Sequence, residues 1–184
     1  WTGMALDEER GLLFAPTGSA TPDFYGAKRI GDNLYANSLL AIDAKTGELR
    51  WHYQVVKHDL WDRDNPSPPT LVKVQRDKEL VDAVTLTTKS GHLYVFDRDS
   101  GESLHPIVAV ETDLPSTLPG EAPSKSQQVS SIAFSRQAFE ITRRTPEATV
   151  HVEDQIEGWD LRPWAPPKVG TVLITPWYDG GAEW

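Results

Sequence analysis

The sequence contains no cysteine and only one methionine among its 184 residues. Without thiols there is no disulfide framework, no thiolate nucleophile and no cysteine-based zinc spacing. Basic charge is also scarce: 18 Lys and Arg stand against 27 Asp and Glu, a net charge of −9. No basic run relieves that deficit, so a nucleic-acid partner is not expected. No apolar stretch approaches the roughly 20 residues of a membrane-spanning helix. No signal-peptide pattern is visible. The chain opens on Trp1 and closes on Gly180-Gly181-Ala182-Glu183-Trp184. Neither end reads as a natural terminus, and a piece of a longer polypeptide is expected.

The chain is long enough for one domain with a real core. Seven Trp, 14 Pro and 13 Gly argue against a helical bundle and suit short strands joined by tight turns. Strands are expected over Thr2–Leu6, Gly11–Pro16, Leu39–Asp43 and Glu48–Val55. In the last of these, Leu49, Trp51 and Tyr53 are expected on one face. Further strands are expected over Val81–Thr88 and His92–Asp97.

One phrase recurs. Leu40-Ala41-Ile42-Asp43-Ala44-Lys45-Thr46-Gly47-Glu48 aligns with Tyr94-Val95-Phe96-Asp97-Arg98-Asp99-Ser100-Gly101-Glu102, 54 residues on. In each, an apolar strand runs into Asp-x-x-Thr/Ser-Gly, a turn in which Gly supplies positive φ. Asp43 and Asp97 are assigned to that turn. A strand-and-hairpin repeat of this length is the mark of a β-propeller blade or a similar array. The expected fold is all-β, with blades of four-stranded antiparallel sheets. Blade repeats are placed at about 1–56 and 80–112, and the start of the next blade at 169–184. Between them, 113–168 reads as a long proline-rich excursion. It is given a short helix at Ser135–Ile141, and Val169–Thr175 is expected to return to strand.

The chemistry concentrates in His58-Asp59-Leu60-Trp61-Asp62-Arg63-Asp64-Asn65-Pro66. Three carboxylates, an imidazole and an indole follow directly on a strand that ends in aromatics. A carboxylate in such a setting can be partly desolvated and its pKa tuned for proton transfer.

These features together resemble the pyrroloquinoline-quinone (PQQ) dehydrogenases, eight-bladed propellers that oxidise alcohols or aldose sugars. The resemblance is carried by Gly31-Asp32-Asn33, Trp51-His52-Tyr53-Gln54, His58–Asp62, Thr87-Thr88-Lys89-Ser90-Gly91, the Asp97–Glu102 turn and Gly180–Trp184. It is nearest the membrane-type glucose and related sugar or alcohol enzymes. It implies Asp62 as the base that takes the hydroxyl proton, Lys89 as the cation on the quinone oxygens, and Trp1 as the indole stacked under the ring. Glu183 then falls near a position that meets the cofactor from a later blade. Asp62, Asp64 and Ser19 fall on metal-ligand positions for Ca²⁺ or a rare-earth ion. Ser19 departs from the family's Asn after Thr-Gly, and a hydroxyl is a poorer ligand for a hard cation than an amide carbonyl. The resemblance further implies an alcohol or sugar substrate, a quinone or cytochrome c electron acceptor, a periplasmic location and the remainder of the propeller as partner.

The residue types suit that chemistry. A fixed cation stabilises charge developing on a reduced quinone's oxygens. A carboxylate base suits a hydroxyl that must lose its proton. Trp51 and Trp61 are assigned to core or blade docking, and His58 and Asp59 to structural support. Lys89 is expected to reach off the sheet end with its methylenes on the blade. Two other readings compete: a non-catalytic propeller scaffold or assembly protein, and a carboxylate glycosidase. A scaffold has no need of Asp62, Lys89 and Trp1 together. The acids of the cluster lie too close in sequence to face one another across a glycosidic bond.

Overall fold

The computed structural model describes residues 2–170 and 172–176. Its first sheet has the order β1-β2-β3-β4, formed by β1 (Ala5–Asp7), β2 (Leu12–Pro16), β3 (Ser38–Asp43) and β4 (Leu49–Gln54). All neighbours are antiparallel. Leu12 and Phe14 of β2 alternate into the core, and Pro16 ends the strand. The first strand lies slightly later than expected because Thr2 is drawn away, its hydroxyl donating to the Pro66 carbonyl at 2.6 Å. The single face expected for Leu49, Trp51 and Tyr53 is broken by an irregularity in the β3–β4 pairing between Ala41 and Ile42. Trp51 and Tyr53 pack on the core, whereas Leu49 is 41% exposed.

The second sheet comprises β5 (Thr70–Arg76), β6 (Glu79–Thr87) and β7 (Leu93–Asp97), in that order and antiparallel. A fourth position survives only as an isolated bridge from Phe96 to Ser103. Pro106 follows soon after, with no amide hydrogen to extend the ladder. The strand β5 lies ahead of the stretch 80–112 expected for the second unit. It escapes a reading by pattern because its turn, Asp77-Lys78, has no glycine; Asp77 itself takes φ +54°.

The repeated turns are equivalent down to single bonds. Each follows the third strand of its sheet. Asp43 and Asp97 each accept from two amides in the turn, those of Lys45 and Thr46 in one and of Asp99 and Ser100 in the other. Gly47 and Gly101 sit at φ +78° and +73°. The strands on either side carry the core. Phe14, Leu39 and Ala41 from one sheet meet Val84, Leu86, Tyr94 and Phe96 from the other, all with negligible exposure. Trp51 reaches across the seam. Its ring lies 5.7 Å from that of Phe14 and 5.9 Å from that of Phe96, and its Nε1 donates to the Arg98 carbonyl at 2.9 Å.

Beyond the second sheet, β8 (Ile107–Glu111) pairs with β9 (Ser126–Ser130). The expected excursion therefore contains a strand; the polar sequence Ser-Gln-Gln-Val-Ser hides it. The helix within it is α1 (Pro146–Gln155), not Ser135–Ile141. Thr145 caps α1 by accepting from the Ala148 amide, and Pro146 opens the first turn. Within that stretch Ser135 and Gln137 instead dress the β6–β7 turn, with Gln137 Nε2 donating to the Ser90 carbonyl at 2.9 Å. Of the strand expected over Val169–Thr175, the structure holds one parallel bridge, Asp160 to Val172; Thr171 lies outside the described residues.

Candidate active site

The stretch 55–66 leaves β4 and folds back over the sheet end as a loop fixed from several sides. Gln127, buried on β9, brackets Lys57: its Oε1 accepts from the Lys57 amide at 2.8 Å and its Nε2 donates to the Lys57 carbonyl at 2.9 Å. His58 is buried, its ring nitrogens 2.8 Å from the Gly31 carbonyl and 3.0 Å from Glu121 Oε1. Trp61 Nε1 donates to the Ala165 carbonyl at 2.8 Å, and the ring meets Trp164 edge-on at 5.2 Å. The Arg63 guanidinium lies 4.2 Å from the Trp164 ring centre, a cation–π contact. Its burial pulls its pKa down to about 10. Asn65 Nδ2 donates to the Thr17 carbonyl at 3.1 Å.

Lys89 arrives from the other sheet, in the turn between β6 and β7. Thr88 Oγ1 and Ser90 Oγ share a hydrogen bond of 2.9 Å, and the Gly91 amide closes on the Thr88 carbonyl at 2.9 Å. Gly91 takes φ +75°, and a Cβ there would run into Ser135. Lysine in a turn is ordinarily solvated, but Lys89 is only 7% exposed. Its ammonium donates to Asp64 Oδ2 at 3.1 Å, the Asp62 carbonyl at 3.2 Å and Asp62 Oδ2 at 3.4 Å.

Three charges therefore share one half-buried site. Burial pushes the Asp62 carboxyl up to about 6, with neighbouring Asp64 adding to the rise and Lys89 opposing it. For Asp64, burial alone would raise the pKa. The Ser19 amide, donating at 2.7 Å, and Lys89 outweigh it, and the net direction is down. Burial would likewise lower Lys89, but the two carboxylates prevail and raise it. The outcome is one firmly ionised acid, one permanent ammonium and one carboxylate of raised basicity that is still mostly ionised at neutral pH. That division between two neighbouring acids is the arrangement acid–base chemistry uses.

Asp62, Asp64 and Lys89 are thus brought together. Ser19 lies beside them through its amide, while its hydroxyl is turned to Asp59. Trp1 and Glu183 lie outside the described residues. The donor set suits a quinone, which needs a fixed cation at its oxygens and a base near the substrate hydroxyl. It suits a metal ion less well. Among the described residues no group of three or more His, Asp or Glu is placed to hold one. Calcium takes six to eight oxygen ligands; here two carboxylates share one ammonium.

Antiparallel sheets of two to four strands, two of them sharing a repeated turn and carrying a lysine–carboxylate site at their ends, define a β-propeller protein with a polar site on its loop face. The whole chain, residues 1–184, matches the family model for the PQQ glucose/ethanol/alcohol dehydrogenase β-propeller domain. It is 41% identical over 137 residues to the quinoprotein glucose dehydrogenase of Gluconobacter oxydans, covering 73% of this chain and 17% of that protein. It is 39% identical over 129 residues to the quinate/shikimate dehydrogenase (quinone) of Acinetobacter baylyi, covering 69% and 16%. Among solved structures, the quinohemoprotein alcohol dehydrogenase of Comamonas testosteroni superposes with a TM-score of 0.54 at 25% identity, over 76% of this chain and 20% of that one. The chain belongs to the PQQ-dependent dehydrogenase β-propeller family, and spans less than a fifth of the length of these curated relatives.

Proposed function

We propose that this chain is the segment of a PQQ-dependent dehydrogenase that supplies the proton-accepting carboxylate and the cofactor-binding cation for oxidation of an alcohol or aldose sugar. The reading rests on one observation above all. Asp62, on the loop that follows β4, and Lys89, in the β6–β7 turn of the second sheet, meet at 3.4 Å in a half-buried site. When bound, the quinone supplies the hydride acceptor. Asp62 Oδ2 takes the proton from the substrate hydroxyl. Its raised pKa makes it a stronger base than an ordinary carboxylate while leaving it available at neutral pH. Lys89 would hold the quinone by hydrogen bonds to its oxygens and would offset charge developing there. Asp64, held by the Ser19 amide and Lys89, keeps the ammonium oriented.

Trp1 as the stacking indole, Glu183 as a cofactor contact, and Asp62, Asp64 and Ser19 as ligands of Ca²⁺ or a rare-earth ion are carried by the family resemblance. So are a quinone or cytochrome c acceptor and a periplasmic location. The described residues do not assemble a metal site by themselves. The test is Asp62→Asn in the full-length protein. Asn keeps the size and most hydrogen bonds but takes no proton. Dye-linked turnover should fall about 10²–10⁴-fold while PQQ affinity changes little. A kcat within a few-fold of wild type would remove Asp62 as the base.

A further inference from the structure

Asp59 is 1% exposed, yet among the described residues no cationic side chain bonds its carboxylate. Four neutral donors converge on it instead. The Trp61 amide donates to Oδ1 at 2.9 Å. The Arg63 amide donates to Oδ2 at 2.7 Å and Asn37 Nδ2 to the same oxygen at 2.8 Å. The Ser19 hydroxyl also donates to Oδ2. A buried carboxylate without a directly bonded cation is tolerated only when its lone pairs are filled in this way. Capping a turn needs one or two amides. Here the donors come from three separate parts of the chain.

What the carboxylate encloses gives the arrangement its meaning. The two amides it holds belong to the residues on either side of Asp62. With both pinned, Asp62 sits at φ +55°, a region that a non-glycine residue seldom takes. Asn37 reinforces the same loop, its Nδ2 also donating to the Arg63 carbonyl at 2.8 Å. Ser19 extends the control sideways: its hydroxyl serves Asp59 while its amide serves Asp64. A single buried group thereby sets the backbone around one acid and, through Ser19, the position of the other. From the opposite side, Arg29 Nη2 donates to the Asp59 carbonyl at 2.8 Å and anchors the residue in the loop.

We infer that Asp59 is a positioning residue for proton transfer. It touches neither substrate nor cofactor; it fixes the strained backbone that aims Asp62, and it aligns Asp64 through Ser19. The inference rests on the reading of Asp62 as the base. Its test uses the full-length protein loaded with PQQ, as wild type, Asp59→Asn, Ser19→Ala, Asp62→Asn and the double variant Asp59→Asn/Asp62→Asn. An Asn at 59 turns one accepting oxygen into a donor that faces other donors, which loosens the loop around Asp62. A misplaced reacting group can lose on the order of 10²-fold in rate. Asp59→Asn should therefore lower kcat by about that factor, with KM and PQQ affinity within a few-fold of wild type. Ser19→Ala removes one of the four donors but keeps the amide on Asp64; it should lower kcat less, with the same split. The double variant should be no slower than Asp62→Asn, because groups that act through one step do not add. A parallel loss of PQQ affinity and kcat in Asp59→Asn, or a further fall in the double variant, overturns the inference. So does full activity of Asp59→Asn beside an inactive Asp62→Asn. Activity in Asp62→Asn instead sinks the base assignment itself. If Asp59→Asn does not fold, Ser19→Ala decides, and an unchanged kcat there overturns the positioning role.

Discussion

Lys89 is the residue whose surroundings differ most from its sequence context. Lys89 lies in the turn Thr88-Lys89-Ser90-Gly91, and substitutions in surface turns usually shift stability by no more than about 0.5 kcal/mol. The structure buries the side chain and sets its ammonium between Asp62 and Asp64. Lys89→Ala leaves two carboxylates facing each other without a cation, so two effects are expected together. The full-length protein should lose PQQ affinity and rate, and the apo form should lose about 1–3 kcal/mol, the usual range for stranding buried polar groups. Lys89→Arg keeps the charge but changes reach and geometry; it should restore most of the apo stability and only part of the rate. PQQ titrations and apo melting curves of the three forms check this. An apo melting temperature unmoved by Lys89→Ala would mean that the ion pairs contribute nothing to the fold. The acids of this site were legible because they crowd into one stretch, His58–Pro66. The residues that hold them were not. Gln127, Glu121, Asn37 and Trp164 reach the loop from other parts of the chain, and nothing in their local sequence marks a side chain that will contact a distant loop.

Strands and turns were legible where local pattern and local chemistry agree. The Asp-x-x-Thr/Ser-Gly turns carry their own hydrogen-bond program, and the structure places both after the third strand of a sheet. The strands β5 and β9 were hidden because their burial is decided by neighbours: a turn without glycine precedes β6, and a buried Gln sits in β9. At this scale Gly101 is the informative position. It needs φ +73°, and a Cβ there would stand 2.6 Å from Trp51 Cδ2. Two penalties should therefore separate in Gly101→Ala. Positive φ costs an L-residue about 1–2 kcal/mol, and overpacking against a ring adds about 1–3 kcal/mol. In a Trp51→Ala background only the first remains. Denaturant melts of the wild type, the two single variants and the double variant should show a favourable coupling between positions 51 and 101. Additive losses would mean that the indole does not dock on this turn.

For the molecule as a whole, the chain corresponds to a minor part of its relatives' length, and under the proposed function most of the ring that would hold the cofactor lies outside it. The isolated 184-residue chain is accordingly expected to show no alcohol- or glucose-dependent dye reduction with added PQQ and Ca²⁺; measurable turnover would refute that. Within the chain, the two sheets are joined by a charged latch as well as by the aromatic seam. Arg10, in the turn between β1 and β2, reaches Asp82 at 2.8 Å, Asp99 at 3.0 Å and Asp7 at 3.2 Å. Arg98 meets Asp7 at 2.9 Å, and Lys73 meets Asp82 at 2.9 Å. Lys73 and Arg10 hold Asp82 down at about 2. Burial would raise Asp7, but the Arg10 amide and both guanidinium groups outweigh it, and it too is lowered. Both folded-state values thus lie below the ordinary carboxylate value of about 3.9. In the window between, the unfolded chain binds more protons than the folded one, and stability falls as pH falls. The latch's contribution is complete above about pH 5 and is lost as pH falls through about 2, the value at which Asp82 titrates in the folded protein. Melting temperatures should be nearly insensitive to Asp82 titration at pH 5–7 and decline steeply below pH 4. Asp82→Asn should lower the plateau, since Arg10 and Lys73 lose their shared acid, and should flatten the acid decline because one of the titrating groups is gone. Salt should narrow the gap between the two proteins at neutral pH, as it screens partly exposed pairs. An acid decline equally steep in Asp82→Asn would show that Asp82 contributes nothing to the latch.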